Sequence, residues 1–294
     1  SAPRYPARDS DPGGPGAPMI DGDRPIPNVL AIAGSDPSGG AGIQADLKAI
    51  SARGAYGAAG IPALTAQNTR GVRGVELVDP GFVRAQVEAV LDDVRIDAVK
   101  VGMVATAAIA TAVADVLEAR RPPFVVVDPV MVARSGDRLL AADAVEAVRD
   151  RLLPLADVLT PNLPEAADLL DRPVAVTRRA MPEVAGALRD LGPRGVLLKG
   201  GHLGGDASDD VYVDADGLVE LPAARIDTPH THGTGCTLSS AVAALRPRHR
   251  ATVDAVREAR AYVLGAILHA GALSVGAGHG PVHHFHDLWT PTPA

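Results

Sequence analysis

The turn His232-Gly233-Thr234-Gly235-Cys236 precedes Thr237-Leu238-Ser239-Ser240-Ala241-Val242-Ala243, a run of small residues compatible with a helix. A glycine turn opening a helix leaves backbone N–H groups unpaired, and the helix dipole favours an anion beside them. Gly233, Thr234 and Gly235 can present those donors with little side-chain obstruction. Phosphoryl transfer needs such donors to hold charge on the moving oxygens. Taken alone, the turn also reads as a flexible helix entry. Cys236, at the helix N-terminus, has the setting in which a thiol pKa falls below its free value of about 8.5 and the sulfur can accept a proton. A small buried hydrophobe is the other reading of a lone cysteine.

Asp128 and Glu165 are the carboxylates placed to hold a hard cation, which takes one or two carboxylates and several waters. Asn162-Leu163-Pro164-Glu165 equally fits a helix cap, with an acid in the first turn. Of 28 basic residues only Lys48, Lys100 and Lys199 are lysine. A compact ammonium differs from a guanidinium fork, and Lys199, in Leu198-Lys199-Gly200-Gly201, is the candidate phosphate contact. Gln67 closes an apolar run. Its amide can pair with the amino donor and ring-nitrogen acceptor of an aminopyrimidine edge, as glutamine does with adenine. An ordinary polar loop residue is the alternative.

These residues need a scaffold. Apolar runs at 29–33, 58–66, 124–127, 158–159 and 196–198, and the segment 98–101 around Lys100, read as strands. Helical patterns at 42–53, 80–94, 106–120 and 252–270 separate or follow them. Such alternation predicts a mostly parallel sheet covered by helices on both faces. Ligands of such sheets bind outside the carboxyl ends of the strands. Gly34-Ser35-Asp36, Asp128, Asn162 to Glu165, and Lys199 all follow strands, so residues distant in sequence converge on one edge.

Composition narrows the function. The 294 residues, 47% hydrophobic but only 3% aromatic, suit one large α/β domain or two small ones. A net charge of −7 without a basic run argues against nucleic acid. One cysteine permits no intrachain disulfide and points to a reducing cytoplasm. No apolar run reaches bilayer length. Residues 1–27, with seven prolines and four glycines, read as a disordered N-terminal extension before a domain at 28–294. No Gly-Lys dipeptide exists, which excludes a Walker P-loop. Gly40-Ala41-Gly42-Ile43-Gln44-Ala45 matches a dinucleotide pattern, but it lies too far past its strand and lacks the following acid. The cluster His283, His284 and His286 is a compositional hint of metal at most.

Seven ordered blocks resemble bacterial hydroxymethylpyrimidine/phosphomethylpyrimidine kinases. They are Gly34-Ser35-Asp36-Pro37-Ser38-Gly39-Gly40-Ala41-Gly42-Ile43-Gln44-Ala45-Asp46, Ala63-Leu64-Thr65-Ala66-Gln67-Asn68-Thr69, Lys100-Val101-Gly102-Met103, Asp128-Pro129-Val130-Met131, Thr160-Pro161-Asn162-Leu163-Pro164-Glu165, Leu198-Lys199-Gly200-Gly201-His202 and Thr231-His232-Gly233-Thr234-Gly235-Cys236-Thr237. The tail Gly280-Pro281-Val282-His283-His284-Phe285-His286 is similar too. The resemblance implies a ribokinase-like three-layer α/β/α fold with a central mostly parallel sheet, in a cytoplasmic homodimer using ATP and Mg²⁺. It implies two phosphorylations in thiamine biosynthesis, of 4-amino-5-hydroxymethyl-2-methylpyrimidine and then of its monophosphate. Gln67, Gly34, Ala41, Asp46, Met103 and Val130 would bind the pyrimidine. Lys199, Asn162 and Thr234 would serve the nucleotide, and Asp128 and Glu165 the metal. Gly233, Thr234 and Gly235 would form the anion hole, with Cys236 as base. A pyridoxal kinase of the same superfamily, and a non-catalytic pyrimidine or phosphate sensor, are the competing readings. The loops at 67–72 and 133–138 are the segments whose closure the sequence leaves open.

Overall fold

A computed structural model describes residues 25–131 and 142–289. Most of the expected N-terminal extension, at 1–24, and the 133–138 loop lie outside the described residues. The described elements are β1 (Asn28–Ile32), α1 (Gly42–Ala52), β2 (Tyr56–Gly60), β3 (Ala63–Asn68), β4 (Gly71–Leu77), α2 (Pro80–Asp93), β5 (Ala98–Val101), α3 (Ala107–Arg120), β6 (Val125–Val127), α4 (Ala142–Ala147), β7 (Val158–Leu159), α5 (Leu163–Leu170), α6 (Met181–Arg189), β8 (Gly195–Leu198), β9 (Asp210–Asp214), β10 (Gly217–Leu221), α7 (Thr234–Leu245) and α8 (Thr252–Leu268).

Eight strands form one sheet in the order β10-β9-β8-β7-β6-β5-β1-β2. All pair in parallel except β9 and β10, which join antiparallel at one edge. Residues alternate between faces along each strand. Leu30 and Ile32 of β1 therefore pack with Val83 of α2 and Ile109 and Val113 of α3. Val29 and Ala31 pack with Ile43 and Ile50 of α1 and Val242 of α7. Two apolar layers thus sandwich the sheet, the expected α/β/α arrangement.

Helices α2 and α3 start where short polar side chains cap them. Asp79 accepts from Phe82 N at 3.1 Å, and Thr106 accepts from Ile109 N at 3.2 Å. Such caps contribute about 0.5–2 kcal/mol each.

The apolar run at 58–66 is two strands, not one. β2 belongs to the main sheet, whereas β3 turns away after Ile61-Pro62 and pairs with β4 as a separate hairpin. Proline lacks the N–H that a continuing central strand would donate. The β9–β10 hairpin was also absent from the sequence reading. Its strands are short apolar runs, at 211–213 and 218–219, bounded by the charged residues Asp210, Asp214 and Glu220.

Candidate active site

β1 pairs with β2 on one side and β5 on the other, so the chain reverses direction across the sheet between β1 and β5. Such a reversal opens a crevice at the carboxyl edge. A cavity of about 610 Å³ lies there, lined from every predicted loop: Gly34 and Ala41 after β1, Met103 after β5, Asp128 and Val130 after β6, Asn162 and Glu165 after β7, and Lys199 after β8. Gln67 and Gly233 to Cys236 complete the wall.

The glycine turn requires glycine at Gly233. Its φ is +78°, and a Cβ there would collide with the Gly40 carbonyl. At Gly235 a Cβ would stand 3.2 Å from Lys199 Nζ and 3.6 Å from Asp128 Oδ2. The backbone donors, the ammonium and the carboxylate therefore meet at one point. Lys199 Nζ donates to Asp128 Oδ1 at 3.1 Å and stands 3.8 Å from Glu165 Oε2.

Burial works to raise the Asp128 pKa, but Lys199 and Lys100 outweigh it and hold the carboxyl below its usual range. Glu165 goes the other way, pushed up to about 7 by burial against the pull of Lys199 and with the help of Asp128's charge. Glu165 also caps α5. Asn162 N donates to its Oε2, and Glu165 N donates to Asn162 Oδ1, both at 2.8 Å. That box engages Oε2, and such a cap is compatible with holding a cation as well. Two buried carboxylates with one ammonium between them match the donor set of Mg²⁺, which takes one or two carboxylates and completes its shell with water and phosphate oxygens.

Cys236 differs from the expectation of a depressed thiol. Burial pushes its pKa up to about 12. Lys100 and the Gly42 N–H oppose that rise, while Asp46 and Asp128 add to it. The helix N-terminus does not prevail, because the sulfur is dehydrated and faces two carboxylates. The residue still keeps surface on the cavity.

Gln67 reaches the cavity because the β3–β4 register shifts between Ala66 and Gln67. A bulge of this kind re-aims the side chain that follows it. Thr65 Oγ1 donates to the Ser35 carbonyl at 2.8 Å and stands 3.3 Å from Gln67 Oε1.

Asp46, expected among the pyrimidine contacts, lies instead beneath the floor and outside the cavity lining. It is fully buried, as is its partner Lys100, whose Nζ donates to both carboxylate oxygens at 2.8 and 2.9 Å. Ser240 Oγ adds a third bond at 2.8 Å. A helix faces both ways, and Asp46 sits on the inner face of α1 with Ala45, Ala49 and Ile50.

Sequence reasoning missed the pair Asp36 and His232. His232 Nε2 is 2.8 Å from Asp36 Oδ2. Asp36 also accepts from Ser38 N, Ser38 Oγ and Ala41 N. The β1 loop is thereby tied to the glycine turn. The signal was an acid in Gly34-Ser35-Asp36 and a histidine inside the turn, but their distance of 196 positions hid the contact. Thr231 Oγ1 was missed as well. It is buried without a hydrogen-bond partner in a residue that lines the cavity, a group left for a ligand.

The tail histidines form no metal group: among the described residues no cluster of three or more His, Cys, Asp or Glu is placed to hold an ion. His284 is nearly inaccessible, and its pKa is pushed down to about 3 by burial, with Lys48 and His283 adding repulsion. Unfolded, it would bind a proton near pH 6.5. The unfolded state thus takes up more protons below that pH, and stability falls as the pH drops. Between pH 7 and pH 5 this group should remove about 2 kcal/mol. Urea midpoints at the two pH values check it: His284→Gln should flatten the dependence by that amount.

A doubly covered, mostly parallel sheet with an anion-binding helix start beside an ammonium and two carboxylates at its carboxyl edge defines a kinase of the ribokinase-like class. Comparison with known proteins narrows the class. The chain belongs to the phosphomethylpyrimidine kinase family, which it matches over residues 36–283. It is 53% identical over 262 residues to a hydroxymethylpyrimidine/phosphomethylpyrimidine kinase of Salmonella typhimurium, covering 89% of this chain and 98% of that protein. The fold superimposes on a phosphomethylpyrimidine kinase of Clostridium difficile with a TM-score of 0.73 at 40% identity, covering 82% of this chain and 99% of the other. It also superimposes on the pyridoxal kinase of Staphylococcus aureus in complex with ADP, with a TM-score of 0.82 at 33% identity, over 90% and 96% of the two chains.

Proposed function

We propose that the cavity carries out both phosphorylations of the family: 4-amino-5-hydroxymethyl-2-methylpyrimidine to its monophosphate, and the monophosphate to its diphosphate, with ATP as donor, in the thiamine pathway of the cytoplasm. The observation that carries the reading is the meeting of Lys199, Asp128 and Gly235 at the mouth of α7, opposite Gln67. Gln67 takes the aminopyrimidine edge, with Gly34, Ala41, Met103 and Val130 around the ring. Lys199, Asn162 and Thr234 serve the nucleotide. Asp128 and Glu165 would hold a bound Mg²⁺, which would neutralise phosphate charge during transfer. The N–H groups of Thr234, Gly235 and Cys236 hold the moving phosphoryl oxygens.

Cys236 accepts the proton of the hydroxymethyl group as its oxygen attacks the γ-phosphorus; that P–O bond forms as the bond to ADP breaks. Burial, Asp46 and Asp128 keep the resting thiol protonated, while Lys100 and the Gly42 N–H pull toward the thiolate, so the sulfur acts after its own proton has passed to solvent in the cavity. A cytoplasmic place fits the lone cysteine and the lack, among the described residues, of any helix long and apolar enough to cross a membrane.

Incubating the chain with the aminopyrimidine alcohol and MgATP and resolving the products by mass tests this reading. Sequential mono- and diphosphate are expected. A higher kcat/KM for pyridoxal would reassign the substrate, and ligand binding without turnover would make the chain a sensor.

The working unit is a homodimer. The β3–β4 hairpin exposes Leu64, Val75 and Leu77, each about half accessible. A two-stranded hairpin is marginal in water by itself. A second copy covering it would both bury these side chains and steady Gln67. Val75→Glu with Leu77→Glu should shift the sedimentation coefficient from dimer to monomer; an unchanged dimer places the interface elsewhere.

A further inference from the structure

The tail block Gly280 to His286 takes no part in the chemistry above, yet it packs against the base of the anion hole. His232 N donates to Gly280 O at 3.1 Å, and Val282 N donates to His232 O at 3.4 Å. His283 N donates to Ala266 O in α8, and Tyr262 OH donates to His284 O at 2.8 Å. The segment is thus strapped to α8 on one side and to the glycine turn on the other.

His284 Nε2 lies 3.0 Å from Thr237 Oγ1, and that hydroxyl donates to the Gly233 carbonyl at 2.8 Å. A hydroxyl has one proton. Since Thr237 spends it on Gly233 O, His284 Nε2 must carry the hydrogen of the second contact. A buried, neutral ring supplies that donor, and the histidine is only 4% exposed. The Gly233 carbonyl also accepts from Thr237 N at 2.9 Å, so it has two donors and a fixed direction.

The peptide joining Gly233 to Thr234 is a rigid plane, with its C=O and N–H pointing in opposite directions. Fixing the carbonyl fixes the Thr234 N–H. That N–H is the first of the helix, and its contact with Thr231 O is long, at 3.4 Å. It is therefore available to a phosphoryl oxygen in the cavity that Thr234 lines.

We propose that His284 is a positioning residue for phosphoryl transfer: through the Thr237 hydroxyl it sets the Gly233–Thr234 peptide plane and so aims an anion-hole N–H at the transferring group. The inference rests on the kinase reading. It predicts an effect on the transition state rather than on ground-state binding, because the charge on the phosphoryl oxygens is held there during transfer. Deleting a preorganised donor costs ~10²–10³ in kcat, and tilting one costs less.

His284→Leu should lower kcat about tenfold, with KM for MgATP and for the aminopyrimidine alcohol each held within about twofold. His284→Gln keeps an N–H near the same place and should restore most of the loss. Thr237→Val should match His284→Leu, Thr237→Ser should stay near the unaltered enzyme, and the double variant His284→Leu/Thr237→Val should be no worse than either single one. Losses that multiply in the double variant, or a Gln variant as slow as Leu at equal melting temperature, overturn the proposal. If His284→Leu does not fold, the Gln, Val and Ser variants decide by the same kcat comparison. Amide hydrogen exchange over residues 233–237 gives an answer independent of substrate. Exchange should quicken in Thr237→Val and not in Thr237→Ser, and unchanged protection in both would sink the idea. Turnover by the unaltered chain reports separately on the kinase reading.

Discussion

Cys236→Ala should slow formation of the monophosphate by about 10²–10⁴, the usual contribution of a general base, and slow the second phosphorylation by less than about tenfold. The two acceptors differ in what they ask of the site. A hydroxymethyl group must lose a proton to become a competent nucleophile. A phosphate monoester, with its second pKa near 6, is already largely ionised at neutral pH. The first therefore needs a base, and the second mainly needs charge held in place by Lys199 and the backbone donors. The resting thiol, pushed up to about 12 by burial and by Asp46 and Asp128 against Lys100, adds a condition. Its proton must pass to solvent in the cavity before the sulfur can act. The first step should accordingly fall off toward acid more steeply than the second, and Cys236→Ala should abolish the difference. Separate single-turnover kinetics on the alcohol and on the monophosphate measure both effects. Equal losses in the two steps would falsify the assignment of Cys236 as base.

Lys100→Met should destabilise the chain by about 3–5 kcal/mol, the cost of leaving a buried charge without its partner. Lys100 on β5 and Asp46 on α1 are both fully buried, with the ammonium 2.8 Å from the carboxylate. The Asp46 charge holds Lys100 protonated despite its burial. Replacing both, as in Lys100→Met with Asp46→Leu, should recover most of the loss, because well-packed apolar side chains often equal a buried ion pair. Urea denaturation of the two single variants and the double variant closes the cycle. A Lys100→Met variant as stable as the original would show that the pair carries no such cost. The double variant separates stability from chemistry as well. If Lys100 assists the Cys236 thiolate, the refolded double variant should still be slow in the first phosphorylation.

Both effects lie where sequence reading stopped. Strand positions could be read because a strand buried on both faces is mostly apolar, so Val158–Leu159 stands out with its bounds unaltered, and so does Ala98–Val101 despite Lys100 within it. The convergence of Gly34, Asp128, Asn162, Glu165 and Lys199 on one edge followed from parallel topology. Both readings need only local composition and a rule about sheets.

The β3–β4 hairpin could not be read this way. Ala58 to Ala66 is apolar in either arrangement, and the fold of the chain at Ile61-Pro62 depends on what covers each strand. The β9–β10 edge escaped because Asp210, Asp214 and Glu220 bound or interrupt its short apolar runs.

The residues and their order by themselves determined the glycine turn, the carboxyl-edge set and the family to which the chain belongs, because backbone donors and strand ends are local properties. Tertiary structure alone decided which of those groups face a ligand and what state they hold. It turned Asp46 away from the cavity to Lys100, brought His232 to Asp36 across 196 positions, set a bulge before Gln67, and raised the Cys236 thiol where a helix N-terminus would lower it. Each of these depends on dehydration and on charges from distant segments. Those are fixed only when the layers pack together.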